Sequence, residues 1–386
     1  MSKIIDIQPQ INPDGYFEDN ISTENSSNML LFQKIAGLKN DDNFSQEDNT
    51  ILSEVIENHK NLIQKKIISN KFVINKQEIN EIKSIEKNNL PRYLIYRYKY
   101  RFFSKDKRVG EYPPCLQIEP TSICNFRCIM CYQSDKSFSN KSKGFMSNMT
   151  LDLYKKVIDE VEGKIEAITL ASRGEPTLNK DFKEMLNYSN KKFMALKINT
   201  NASMLDEDLI HNILSNDIQS IIFSVDAADK ETYEKIRVNG KFEKIMKNLK
   251  LFAQIRKDHY SKSKHIVKMS GVKISKDNQS IKSMERQFKE LVDVVAFVNY
   301  SPWESAYDNE PNDLKHACKE LWTRMFVWAD GKVNPCDYDY KSMLSKWNVK
   351  NTSISEIWNS KEYNDLRQKH LGQKRNTIEP CARCLN

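Results

Sequence analysis

The sequence lacks any long apolar run. None exceeds five residues, far short of the ~20 a membrane-spanning helix needs, so no membrane span is expected. The opening MSKIIDIQPQ has no apolar core and no small-residue cleavage site, so it predicts no secretory signal and a cytoplasmic protein. Internal repeats are lacking too. Charge of one sign is barely in excess: 60 Lys+Arg against 52 Asp+Glu give +8 over 386 residues. That permits an anionic ligand without pointing to nucleic acid. What is present is a well-charged globular composition, 39% hydrophobic and 29% charged, in a chain long enough for two or three domains of ~100–200 residues.

There are eight cysteines, and none between Cys131 and Cys318. Four lie early (Cys115, Cys124, Cys128, Cys131) and four late (Cys318, Cys336, Cys381, Cys384). Disulfides would imply export and a small, core-poor domain, and neither applies here. Two groups of soft ligands in a cytoplasmic chain read first as metal sites.

Residues 1–50, rich in Asn, Asp, Ser and Gln, read as a flexible polar tail with a short helix near Met29–Ile35. Residues 51–110 read as a helical extension: Leu52, Val55, Ile56, Leu62, Ile63 and Ile67 recur at helical spacing, and a weaker stretch spans 77–88. The segment 91–103 interleaves four tyrosines with Arg92, Arg97, Lys99 and Arg101. It suits either an acidic or nucleic-acid surface, or a helix packing its rings on the next domain while its cations snorkel out. The second reading is preferred. From 111 to 300, short apolar runs alternate with helix-period stretches. Strands are expected at Leu116–Glu119, Ala167–Leu170, Ala195–Asn199, Ile218–Ser224, Ile266–Ile274 and Val292–Val298. Six β/α units in series predict an α/β fold with a parallel, barrel-like sheet, and chemistry at the strands' C-terminal ends.

TSICNFRCIMCYQ (121–133) spaces its cysteines C-x3-C-x2-C after the first strand. Three thiolates do not complete a structural zinc shell. They do hold three irons of a [4Fe–4S] cluster and leave the fourth open to a chelating ligand. A zinc knuckle borrowing a distant fourth ligand is the alternative.

This motif resembles the radical S-adenosylmethionine (SAM) superfamily. The resemblance implies that the open iron of Cys124, Cys128 and Cys131 binds SAM, whose reductive cleavage yields methionine and a 5′-deoxyadenosyl radical that removes a substrate hydrogen atom. It also implies a partial (β/α)6 barrel. Met130, before the third cysteine, takes the place of an aromatic that often touches adenine. ASRGEPTL (171–178) resembles the family's GGEP turn, with Arg173 for the first glycine, so Gly174, Glu175 and Pro176 carry over as SAM contacts. Ser224 and Asp226 match residues that meet the SAM ribose and carboxylate, and Arg237 matches an arginine that pairs with the carboxylate. Val272 and Ile274 are adenine neighbours or simple core residues.

Residues 318–384 read C-x17-C and then C-x2-C, with a Gly331–Lys332 turn before VNPC. With ISEIWNS (354–360) and the terminal PCARC, residues 301–386 resemble the SPASM/twitch domain that follows many such barrels. This implies that Cys318, Cys336, Cys381 and Cys384 hold one auxiliary [4Fe–4S] cluster, although four thiolates suit zinc equally on physical grounds. A closed auxiliary cluster suits acceptance of an electron from a substrate radical. The reading is therefore an oxidoreductase, dehydrogenase in type, acting on a sugar- or polyol-like molecule. The alternative is a maturase of ribosomally made peptides; a further one is a non-catalytic iron–sulfur sensor or electron carrier. Epimerisation needs a hydrogen-donating thiol. Cys115, the sole remaining cysteine, sits at the wrong end of its strand and reads as structural. Trp303, Glu304, Tyr307 and His316, in the connection between the two domains, face substrate or simply pack. The chemistry implies a small-molecule or peptide substrate and a flavodoxin- or ferredoxin-type reductant.

Overall fold

The computed structural model describes residues 26–64, 71–82, 85–273 and 278–385. Two compact units emerge, one spanning residues 8–108 and the other 109–386.

In the second unit the described residues build a sheet in the order β6-β5-β4-β3-β2-β1-β7-β8-β9. Strands β1 (Cys115–Ile118), β2 (Ala167–Leu170), β3 (Ala195–Thr200), β4 (Ser220–Ser224), β5 (Ile266–Lys273) and β6 (Val294–Asn299) run parallel in chain order. These are the six expected strands, within two residues at each end. Ile274, expected at the end of β5, lies outside the described residues. Helices Leu151–Val161, Phe182–Ser189, Glu207–Ser215 and Phe242–His259 cross between them. Their amphipathic faces cover one side of the sheet, where Leu116, Ile118, Ile168, Leu170, Leu196 and Ile198 are fully buried. Side chains alternate along a strand, so the intervening residues face the inside of the half-barrel. That inner face is polar.

The C-terminal segment is less separate than its cysteines suggested. Its first strand, β7 (Arg324–Val327), lies parallel to β1, with Cys115 opposite Arg324 and Ile118 opposite Val327. The barrel sheet therefore runs on into the auxiliary segment. Strands β8 (Lys332–Asn334) and β9 (Trp347–Asn348) then add antiparallel. The β7–β8 turn rests on Gly331 at φ 87°, a conformation that glycine adopts without a Cβ penalty.

The first unit is helical throughout its described residues: Ser26–Ala36, Gln46–Ile63, Lys76–Ile82 and Leu90–Asp106. Part of the expected polar tail is thus structured, because Phe32 and Ile35 bury completely in this unit's core. Residues 1–25 lie outside the described residues. The basic-aromatic segment spends its charges internally. Arg97 and Arg101 both reach the buried Glu78, at 2.9 and 3.0 Å, while Tyr98 donates to Glu54 at 2.7 Å and stacks on Phe102. A packed helix is realised, but Tyr98 packs on Phe72 and Phe102 of the same unit, and Arg97 and Arg101 turn to a buried acid instead of snorkelling outward.

Candidate active site

The first three cysteines sit on the loop leaving β1. Ser122 braces that loop by donating to Phe145 O (2.8 Å) and accepting from Ser147 N–H (2.7 Å). Arg127 N–H and Ile129 N–H donate to Val238 O and Ile236 O, which pins the loop to the segment after helix Lys230–Ile236. Burial pushes all three thiols up, Cys124 to about 12, and each is raised further by a neighbouring cysteine or acid. Thiols this desolvated are poor resting groups, and a bound metal that deprotonates them would relieve that cost.

The turn after β2 closes over this loop. A Cβ on Gly174 would stand 2.2 Å from Thr121 O and 2.6 Å from Ile123 O, so only glycine fits. Glu175 N–H donates to Ile123 O at 2.9 Å. The Glu175 carboxylate is buried and accepts from Thr177 Oγ1 (2.6 Å), Thr200 Oγ1 (2.6 Å) and Asn201 N–H (2.7 Å). Burial raises its pKa and these donors oppose the rise. The acid thus ties the β2 turn to the end of β3. Asn125, inside the cysteine motif, reaches the same strand end by accepting from Asn201 Nδ2 (3.0 Å) and donating to Ser203 (2.9 Å).

Asp226, just past β4, accepts from Arg237 Nε (2.5 Å) and Val272 N–H (2.8 Å). Arg237 also faces the Cys128 thiol and opposes the rise in its pKa. One buried guanidinium therefore links the β4 acid to the cysteine loop. The structure brings Cys124, Cys128, Cys131, Gly174, Glu175, Asp226 and Arg237 into one neighbourhood at the strands' C-terminal ends. Ser224 closes β4 beside Val225, whose N–H donates to Ser270 O. Pro176 opens the short turn after Glu175. Met130 is half-buried against the core.

The late cysteines also assemble. Cys336 is raised by burial, then by Cys381 and Cys318; Cys381 is raised by burial, then by Cys318 and Cys384. Arg375 lies among them, donating to Cys384 O (3.2 Å) and Cys381 O (3.4 Å) and opposing the rise at Cys318. Each cysteine group thus has one buried arginine. The sequence reading named Arg237 but not Arg375, which carries no motif signal.

Arg173 was also missed as a functional group. It was set aside as a departure from glycine, yet it pairs with Glu119 and donates to Tyr340 O at 2.9 Å in the auxiliary segment. An aromatic cluster joins the two cysteine groups there. Tyr132, next to Cys131, stacks on Trp303 and lies 5.1 Å from Tyr340. Tyr340 donates to Asp135 at 2.8 Å. Of the other residues considered in the domain connection, Tyr307 donates to Asp339 (2.7 Å), His316 meets Arg375 (3.0 Å) and Glu304 accepts from Tyr300.

The chain matches the radical SAM superfamily over residues 118–320 and the SPASM iron–sulfur cluster-binding domain over 318–385. It belongs to the radical SAM superfamily, with a SPASM domain, and these domains imply SAM, a [4Fe–4S] cluster and auxiliary iron–sulfur binding. It is 27% identical to Fe-coproporphyrin III synthase of Methanosarcina barkeri over 42% of this chain and 37% of that protein. It is 26% identical to mycofactocin maturase MftC of Mycolicibacterium smegmatis, over 39% and 36%. These matches span little more than a third of either relative. A third relative, the tungsten-containing aldehyde ferredoxin oxidoreductase cofactor-modifying protein of Pyrococcus furiosus, is 25% identical over 65% of this chain and 82% of that one. In fold, the chain resembles Streptococcus suis SuiB bound to precursor peptide SuiA (TM-score 0.56, 14% identity, 84% of each chain). It also resembles BtrN in complex with AdoMet and 2-DOIA (TM-score 0.50, 17% identity, 72% of this chain and 95% of that one).

Proposed function

We propose that this radical SAM enzyme modifies a peptide. The observation that carries the reading is its similarity to a mycofactocin maturase over 39% of the chain. The fold likeness to SuiB is in keeping with it: at 84% of the chain it extends beyond residues 109–386, which make up 72%. This reading displaces the sugar or polyol oxidation expected from the sequence, which none of the three curated relatives reported above names. Peptide docking is not assigned to the helical unit, whose described residues contain no strand for a winged-helix module.

In this reading the [4Fe–4S] cluster, when bound, supplies one electron that cleaves SAM and so provides the radical that takes a substrate hydrogen. The chain's own residues do the rest. Cys124, Cys128 and Cys131 bind the cluster, and Gly174 lets the turn through Pro176 approach it closely. Glu175 fixes that turn to β3. Asp226 and Arg237 orient the SAM carboxylate and ribose with Ser224, and Met130 lies against adenine. Burial of this floor excludes water from the radical. Cys318, Cys336, Cys381 and Cys384 would hold the auxiliary cluster, whose chemistry there would be acceptance of an electron.

The test is anaerobic incubation of the reconstituted enzyme with dithionite, SAM and short peptides encoded beside its gene. Release of 5′-deoxyadenosine with a mass change in one peptide is expected. Turnover of a sugar or polyol with every peptide unaltered would overturn the reading.

A further inference from the structure

The inner face of the half-barrel carries a charge that the SAM site does not use. Leu196 and Ile198 of β3 are fully buried on the helix-covered side, so Lys197 between them points inward. The register sets Lys197 level with Thr169 on β2 and Ser220 on β4. Arg324 stands opposite Cys115 on the same face and donates to Gln117 Oε1 at 3.3 Å. Lys268 on β5 lies two residues further along. Three cations from β3, β5 and β7 therefore face one interior: Lys197 lies three residues, or ~10 Å, below Thr200, with Arg324 two residues deeper and Lys268 two residues nearer the strand ends.

The acids nearby are already engaged. Glu119 is taken by Arg173, Asp226 by Arg237, and Glu320 lies 3.6 Å from Arg324. Lys197 has neither a hydrogen bond nor an ion pair among the described residues. Burial and the like charges of Arg324 and Lys268 push its ammonium down to about 8, against the opposing pull of the Cys115 thiol. A largely buried ammonium without a counter-ion is unfavourable. Lys197 as a whole residue is half-buried, unlike Leu196 and Ile198 on either side of it.

We propose that Lys197, backed by Arg324 and Lys268, is an anion subsite inside the barrel that receives a carboxylate of the substrate. The site deepens the peptide reading and rests on it for the identity of the carboxylate's carrier, a Glu or Asp side chain or a peptide C-terminus. A carboxylate there supplies the missing counter-charge and anchors the substrate below the SAM site, so the reacting segment lies nearer the strand ends.

The test uses the holoenzyme with SAM bound. Acetylation of Lys197 by an amine-reactive reagent is followed by peptide mass spectrometry. The probes are N-acetyl-glutamate α-amide for a side-chain carboxylate, N-acetyl-alanine for a C-terminal one, and N-acetyl-glutamine amide as the neutral control. One carboxylate probe is expected to slow the labelling about tenfold or more, and which one identifies the source; the neutral amide leaves the rate unchanged. Binding of that probe falls at least about tenfold in Lys197→Met, the loss of one charge-assisted contact. It survives in Lys197→Arg, which separates lost charge from lost fold. Affinity weakens as pH rises through about 8, where the ammonium, faced by Arg324, Lys268 and Cys115, deprotonates. Equal protection by acid and amide, a Lys197 the reagent never reaches, or unchanged binding in Lys197→Met would each overturn the site. If carboxylates protect Lys197 while no peptide is modified, the subsite stands and the peptide reading falls. A modified peptide with no protection gives the reverse.

Discussion

Arg173 lies across Glu119 as a two-pronged pair, Nη2 to Oε1 at 2.6 Å and Nε to Oε2 at 2.7 Å, with 3% and 0% of the side chains exposed. The same carboxylate accepts from Arg173 N–H and Ala329 N–H, each at 3.1 Å. The guanidinium rests 4.3 Å from the Trp328 ring. The end of β1, the turn after β2 and the start of the auxiliary hairpin thus meet at one ion pair.

Removing one partner of such a pair leaves a buried charge uncompensated. Arg173→Met is expected to lose about 3–5 kcal/mol in urea unfolding. The double variant Arg173→Met/Glu119→Gln should recover part of that loss. Equal losses in the two variants would show that the pair is not coupled.

Gly174→Ala places a methyl group where Thr121 O and Ile123 O already stand. The turn must move away from the cysteine loop. The variant should retain its iron but lose the spectral change that SAM induces in the cluster's EPR signal, along with most 5′-deoxyadenosine release. Normal SAM binding would contradict the close-approach argument.

The two buried arginines should tune their own cysteine groups separately. Arg237 lowers the pKa of Cys128, and Arg375 those of Cys318 and Cys381, so each favours extra negative charge nearby. Arg237→Met should make the SAM-binding cluster harder to reduce, and Arg375→Met the auxiliary one, as read by potentiometric EPR. A shift of both clusters in either variant would contradict the assignment.

Much of this was legible in the sequence and some was not. The six parallel strands announce themselves as apolar runs between helical periods, and the cysteine loop is a local motif. Arg173 was opaque because its partners lie 54 and 167 residues away, and a family pattern marks it only as a missing glycine. Strand β7 was invisible as a barrel strand, since RMFV reads as apolar whichever sheet it joins. Lys197 looks like an ordinary charged residue in ALKINT until the register shows that it shares the inner face with Arg324 and Lys268.

His59, in the helical unit, supplies a pH handle. Its ring is buried, Nδ1 donates to Val55 O (2.7 Å) and Nε2 accepts from Ile74 N–H (3.5 Å), an arrangement that requires the neutral form. Burial lowers its pKa below 6.5, against the pull of Val55 O and Glu78. The unfolded chain therefore binds this proton first as pH falls below 6.5, and stability drops in that window. Thermal melts from pH 7 to 5 should show a loss that His59→Gln reduces; an identical slope would remove His59 as the cause.

The central claim is that Cys124, Cys128 and Cys131, closed over by the Gly174–Pro176 turn, form a working SAM-cleaving site. It is tested most directly by 5′-deoxyadenosine release from anaerobically reconstituted protein given dithionite and SAM. The account expects release from the wild type and none from Cys128→Ala. No release from a wild type loaded with both clusters, or equal release from Cys128→Ala, would contradict it.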